Sequence, residues 1–376
     1  MNLAGLPLFG RLDRWVLRSF VLAYVVGGAA LLFLFVVFDM SARLDDLTDE
    51  GLGTTGRMAR MGWYYLLMLP DLHHQAAPFV SLGAGLYTAA RVVGSREWLA
   101  VVMAGVPSTR LFLPVLLVGT LLAFGSSLAR ERASETFGAW RAALTRSLDP
   151  DAARRGSQDL WLRTTRGAVV FVGRSRLDDD VGEPRLEGIE APVRLPTGWG
   201  LLRADVARFD DGGDAGAEAG RWRLEGGTLQ HLDEADGLVT VDLTRHEALD
   251  FEPVDVELAM RARDEPQTLS GGEAARLLAR DPDSTILATV VEVHRAAPWL
   301  DVLFLLMALP FAIRTTRPAL FRGVLQAVVL CCGAFVAVYF ARSLGMQGDL
   351  APAPAAWAPI GLCALLGAVL YARQRT

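Results

Sequence analysis

Phe20 to Phe38 is a run of 19 residues without a charge. Coiled as a helix it is about as long as a bilayer's hydrocarbon core is thick, and few soluble folds can bury such a run whole. Five further apolar runs follow. Trp63 to Ala90 is interrupted by Pro70, Asp71, His73, His74 and Pro78, which predicts a short external helix bending into a span over Ala76–Ala90. Leu111–Leu128 is the third, with Pro114 near its start, where a missing N–H costs little. Pro298–Ile313 is short and carries Asp301, so its helix is expected to begin before the membrane, from Ile286. Val324–Phe340 and Ala355–Tyr371 complete a predicted set of six spans. Span one is long and its downstream flank lacks a small-residue cleavage pattern, so it reads as a retained helix rather than a signal peptide.

Charge divides the chain the same way. Residues 131–283 hold 31 acids and 20 arginines, a net of −11, whereas the remainder nets +6. The mean hydropathy of +0.30 conceals this acidic, soluble middle between apolar, basic flanks. With the N-terminus inside, the short inner segments carry eleven arginines, among them Arg14, Arg91, Arg110, Arg317 and Arg373, against only Asp13 and Glu97. The first outer loop instead holds Asp45, Asp46, Asp49 and Glu50. Arginine bias of this kind places both termini in the cytoplasm and the middle segment outside. Residues 1–130 then form one membrane half with three spans, 131–283 an inserted domain, and 284–376 a second half with three spans.

The insert reads as β-rich. Leu160–Arg163 and Ala168–Gly173 make a hairpin, Leu201–Phe209 and Arg221–Leu229 flank a Gly/Asp turn, and Leu238–Leu243 and Asp255–Met260 are short strands. Ala133–Leu148 leads in as a polar helix or extended arm, and Gly271–Ala279 leads out as a helix. Short antiparallel strands at this spacing suggest a sandwich or jelly roll.

Chemistry is sparse. All 37 basic residues are arginine, so a GxxxxGK[ST] phosphate loop is impossible, and neither HExxH nor GxSxG occurs. Asp210, Asp211 and Asp214 lack the alternating ligands and distal glutamate of a calcium loop, and read as a solvated turn. No metal site is predicted. His73 and His74 diverge by about a quarter turn of helix, which prevents a shared ligand. Glu292 and His294 read as an interfacial polar collar rather than an acid–base site. Asp301 is the only acid expected within the membrane, too little for a proton relay. Cys331, Cys332 and Cys363 lie in apolar runs and read as small packing residues.

The loop between spans two and three is more informative. Ser95 fits an N-cap, Glu97 falls in the first turn, Trp98, Val101 and Val102 make an apolar stripe, and Gly105 with Pro107 ends the helix. A short amphipathic helix over residues 95–106 either lies in the membrane interface or docks in a partner's groove.

At this loop the chain resembles the LptF/LptG (YjgP/YjgQ) family of lipopolysaccharide-export permeases. Ser95-Arg-Glu-Trp98 with Met103-Ala-Gly-Val106 is similar to the family's coupling helix, and Leu12-Asp-Arg-Trp15 to its opening segment. Gln158-Asp-Leu-Trp161 resembles the start of its periplasmic domain; Glu292-Val-His-Arg295, Leu309-Pro-Phe-Ala312 and Pro354-Ala-Ala-Trp-Ala-Pro359 resemble its second half. The resemblance implies a multi-pass inner-membrane subunit with a periplasmic β-jelly roll, no enzyme activity and no bound cofactor. It further implies a second permease of the same type, a cytosolic ATPase dimer of the LptB type that uses the ATP, and a periplasmic LptC/LptA-type bridge receiving lipopolysaccharide, with no nucleic acid involved. Ser95, Glu97, Trp98, Val101 and Gly105 would form the ATPase coupling site, with Glu97 pairing an arginine of the ATPase. Spans one and five would line the lipid's side opening, with Phe35, Phe38 and Arg43 as lipid contacts. In the family, basic residues near the outer end of span one hold the lipid's phosphates; over Val36–Arg43 only Arg43 is basic. Either phosphate recognition has moved to the partner subunit or the lipid is less anionic. Without the resemblance, a membrane-anchored receptor or assembly module is the competing reading.

Overall fold

The structure is a computed structural model that describes residues 10–42, 54–95, 103–104, 108–148, 158–164, 167–176, 184–195, 198–210, 221–233, 237–246, 249–312 and 317–372. The chain divides into two compact units, residues 1–134 with 291–376, and residues 135–290.

The first unit is helical: α1 (Arg11–Ala42), α2 (Thr54–Val93), α3 (Ser108–Leu148, which runs on beyond it), α6 (Thr285–Ala312, which begins before it), α7 (Arg317–Gln347) and α8 (Pro352–Ala372). Among the described residues five helices, all but α6, are long and apolar enough to cross a membrane. Glu292, His294, Arg295 and Asp301 interrupt the apolar length of α6. Yet α6 is closely packed, with Phe304, Leu305, Met307, Ala308 and Leu309 all fully buried. The Leu305 side chain fills a notch between Gly85 of α2 and Gly119 of α3, where a Cβ on either glycine would collide with it. A helix sheathed by protein needs less apolar surface than one facing lipid, so a central α6 tolerates its polar residues.

One expectation is overturned in this unit. No break separates an external helix from a second span: Thr54–Val93 is one helix with Pro70 and Pro78 inside it. Each proline removes one backbone hydrogen bond, and packing against neighbouring helices offsets that loss. Asp71, in the middle of this helix, is buried against its neighbours.

The second unit carries one seven-stranded antiparallel sheet: β1 (Gln158–Arg163), β2 (Val169–Arg176), β3 (Arg185–Leu195), β4 (Gly198–Asp210), β5 (Arg221–Glu225), β6 (Thr228–Asp233) and β7 (Gly237–Asp242). The order is β1-β2-β3-β4-β6-β7, and β5 also pairs with β4. The far side of β4 is therefore shared: Val206–Asp210 pairs with β5 and Gly200–Arg203 with β6. The run 221–229, read above as one strand, breaks at Gly226, whose φ of +66° favours glycine. A Cβ there would also stand 2.7 Å from the Asp205 carboxylate.

Side chains alternate across this sheet. Leu160, Val170, Val172, Leu186, Ile189, Leu202 and Trp222 build its core with Leu249, Phe251 and Val256. On exposed positions arginines face acids on the next strand, as in Arg203–Glu190 at 3.2 Å and Arg208–Glu225 at 3.0 Å. Each such pair contributes little, but opposite charges across strands oppose slippage.

Asp255–Met260 is not a strand but part of α4 (Pro253–Asp264). Its alternating Asp-Val-Glu-Leu pattern imitates a strand, but Pro253 at the helix start and a Glu252/Asp255 capping box nucleate a helix. Helix α5 (Gly271–Arg280) starts on a second box, in which Ser270 and Glu273 exchange hydrogen bonds at 3.1 and 2.7 Å. Glu273 is 4% exposed and also accepts from Arg261 at 3.1 Å. Glu273→Ala leaves Arg261 short of its acid and removes one half of the capping box, the bond from Ser270 N to the carboxylate. The expected loss is about 3 kcal/mol, read as a lowered thermal midpoint for the sheet-containing unit of the full chain, whereas exposed Glu190→Ala is expected to change it by less than about 1 kcal/mol.

Candidate functional site

The densest polar chemistry in the helical unit lies where α2, α3 and α6 meet. Arg130 Nε donates to Asp71 Oδ1 at 2.8 Å, with both side chains nearly out of solvent. Its Nη1 meets Nε2 of His294. A guanidinium has no acceptor, so His294 offers a lone pair at Nε2 and keeps its proton on Nδ1. A cavity of about 260 Å³ opens beside this triad. His74, Ser127, Arg130, Glu131 and His294 supply its polar wall, and Phe124 and Leu128 its apolar one.

A second polar line follows the seam between α1 and α2. Tyr24 Oη lies 3.3 Å from His73 Nε2 and also meets Ser81, while Tyr65 donates to Asp39 at 2.8 Å. Asp301 of α6 is 2% exposed and acts electrostatically on Tyr24, and its Oδ2 has no hydrogen-bond partner among the described residues. The neighbouring histidines thus serve different surroundings, His73 facing α1 and His74 the cavity.

Glu292 and His294 do not act together either. His294 turns inward to Arg130, whereas Glu292 accepts from Trp357 Nε1 of α8 at 3.0 Å and from Arg295 at 2.7 Å. Residues two apart on a helix lie about 200° apart around its axis, so adjacency in the motif does not mean one site. The contact joins two of the segments singled out above, Glu292–Arg295 and Pro354–Pro359.

Of the predicted site residues, Phe35 and Phe38 stand on the open face of α1, 42% and 67% exposed. Only 17% of the apolar window of α1 and 11% of that of α7 is buried, against 61% for α2. Helices α1 and α7 therefore offer broad apolar surface. Ser95 follows α2 and donates its hydroxyl to Val92 O at 2.7 Å, closing that helix. Glu97, Trp98, Val101, Gly105 and Arg43 lie outside the described residues. Asp71 and Arg130 carried no signal of their own as a site; an arginine just beyond a span reads as a membrane flank.

Five helices long and apolar enough to cross a membrane, together with α6 and an antiparallel sheet inserted in the chain between the third and sixth helices, define a membrane protein with an inserted β unit. A family model described as lipopolysaccharide export system permease LptF/LptG matches residues 14–373, and the chain belongs to that family. No curated protein matches the chain.

Proposed function

We propose that this chain is one permease half of an ATP-driven exporter that extracts lipopolysaccharide, or a related glycolipid, from the inner membrane and passes it to a periplasmic bridge. The family match over residues 14–373 carries this reading. In it, α6 is the fourth of six spans, both termini are cytoplasmic and the sheet is a periplasmic jelly roll. The apolar, outward faces of α1 and α7, with Phe35 and Phe38, line the side opening through which the lipid arrives. A chain without lysine has no conventional nucleotide loop of its own, so ATP is hydrolysed by a separate cytosolic ATPase pair engaged through Ser95, Glu97, Trp98, Val101 and Gly105. A second permease of the same type completes the cavity, and an LptC/LptA-type bridge accepts the lipid.

Purifying the tagged chain in mild detergent and identifying bound proteins and lipids by mass spectrometry tests this assembly. An ABC ATPase, a second permease and a glycolipid are expected together. Recovery of the chain with periplasmic proteins alone would instead support a membrane-anchored receptor or assembly module.

A further inference from the structure

Asp301 stands on α6 one turn before Leu305, the side chain that fills the notch between Gly85 and Gly119. It is 2% exposed, and its Oδ2 has no hydrogen-bond partner among the described residues. Its polar surroundings come from α1 and α2. Tyr24 feels the Asp301 charge, meets Ser81, and lies 3.3 Å from His73 Nε2. Phe20, one turn earlier on α1, reaches within 3.6 Å of the place a Cβ on Gly119 would take. The buried face of α1 therefore packs at the same notch as Leu305.

An ionised carboxylate so deep in a helix bundle is costly, and proteins relieve that cost with a counter-charge or by neutralising the group. No arginine among the described residues forms an ion pair with Asp301. Arg130 of α3 is joined to Asp71 and His294, and the Arg342 charge of α7 acts on His74 and Arg130. A metal ion calls for about six oxygen ligands. The side-chain oxygens here are the Asp301 carboxylate and the hydroxyls of Tyr24 and Ser81, which already meet each other. Among the described residues no cluster of three or more His, Cys, Asp or Glu could hold a metal. A proton needs no such shell.

We propose that Asp301 is a proton-binding site at the seam where α1 meets α2 and α6, and that its proton holds α1 in place. The proton comes from water, binds the carboxylate and returns to water, with no bond between heavy atoms changed. While it is bound, the carboxyl is neutral and α1 closes over it through Tyr24. Once it leaves, the carboxylate draws in water, and α1 is the helix that yields, since only 17% of its apolar window is buried. Tyr24 of α1 and His73 of α2 are the other titratable groups of this seam. One acid cannot conduct protons across a membrane, but it can hold one. This inference goes beyond the export reading and needs neither a lipid nor a partner subunit.

The test uses the full chain in a maltoside detergent, which has no ester carbonyl to obscure the infrared band of a protonated carboxyl. That band is expected in the parent at neutral pH, lost in Asp301→Asn and kept in Asp301→Glu. Asparagine imitates the neutral acid, so Asp301→Asn is expected to fold. A group protonated in the folded state and ionised in the unfolded one makes stability fall as pH rises. The unfolding equilibrium constant of the parent, relative to that of Asp301→Asn, should therefore rise about tenfold per pH unit for one proton. Backbone amide exchange around Tyr24, corrected for its intrinsic pH dependence, should quicken with pH in the parent and stay constant in Asp301→Asn. An infrared spectrum indistinguishable between parent and Asp301→Asn overturns the proton site. A band that appears only when sodium is replaced by choline overturns it in favour of a sodium site. A band and a stability slope without any change in exchange along α1 overturn the hold on that helix.

Discussion

Asp71→Ala is expected to destabilise the helical unit by about 3 kcal/mol, the cost of stranding a buried charge. Arg130 holds Asp71 at 2.8 Å and also meets His294, so the substitution removes the carboxylate that faces a guanidinium nearly out of solvent. An ordinary hydrogen bond between membrane helices is worth about 0.6 kcal/mol, so the size of the loss separates an ion pair that matters from an incidental contact. The double variant Asp71→Leu/Arg130→Met removes both charges together and is expected to recover most of the stability, since a buried pair replaced by apolar side chains is often neutral. Thermal unfolding of the three proteins in the same detergent gives the comparison. Equal losses in the single and double variants would mean that the two side chains are not coupled.

Glu97→Ala is expected to disconnect the permease from its ATPase. If Glu97 pairs with a partner arginine at a desolvated contact, its removal costs about 2 kcal/mol or more, roughly a thirtyfold loss of ATPase recovered with the tagged chain. Lipid export in reconstituted vesicles should fall with it, while the melting of the permease itself stays unchanged. Glu97→Asp keeps the charge on a shorter stem and should retain part of the coupling. Undiminished ATPase recovery with Glu97→Ala would assign this glutamate to capping its own helix.

Much of this architecture was readable before any coordinates. Apolar runs marked five of the observed membrane-length helices, because each is a local property of some 20 neighbouring residues. The hairpin around Gly167 and the strand Leu201–Phe209 followed from alternation and turn residues, and both occur, within β1–β2 and β4. Reading failed where two local signals competed. Pro70 and Pro78 looked like a bend between a short helix and a span, and Asp255–Met260 looked like a strand until Pro253 and the capping box outweighed its alternation. β3 went unread, although Arg185–Leu195 carries a clear buried–exposed alternation.

The candidate site was legible only as isolated letters. His74, Ser127 and Glu131 each stand in segments read as span or flank, and Glu292 with His294 looked like one collar but faces two different neighbours. By itself the amino-acid order determined that the chain enters a membrane, that a sheet interrupts it, and that no lysine-dependent nucleotide loop exists, since hydropathy, alternation and composition are local or additive. Only the tertiary structure decided that α6 is the sheathed helix, and that Arg130 joins Asp71, 59 positions away, to His294, 164 positions away. Helix packing brings such residues together, and the periodicity of each helix leaves its partners unspecified.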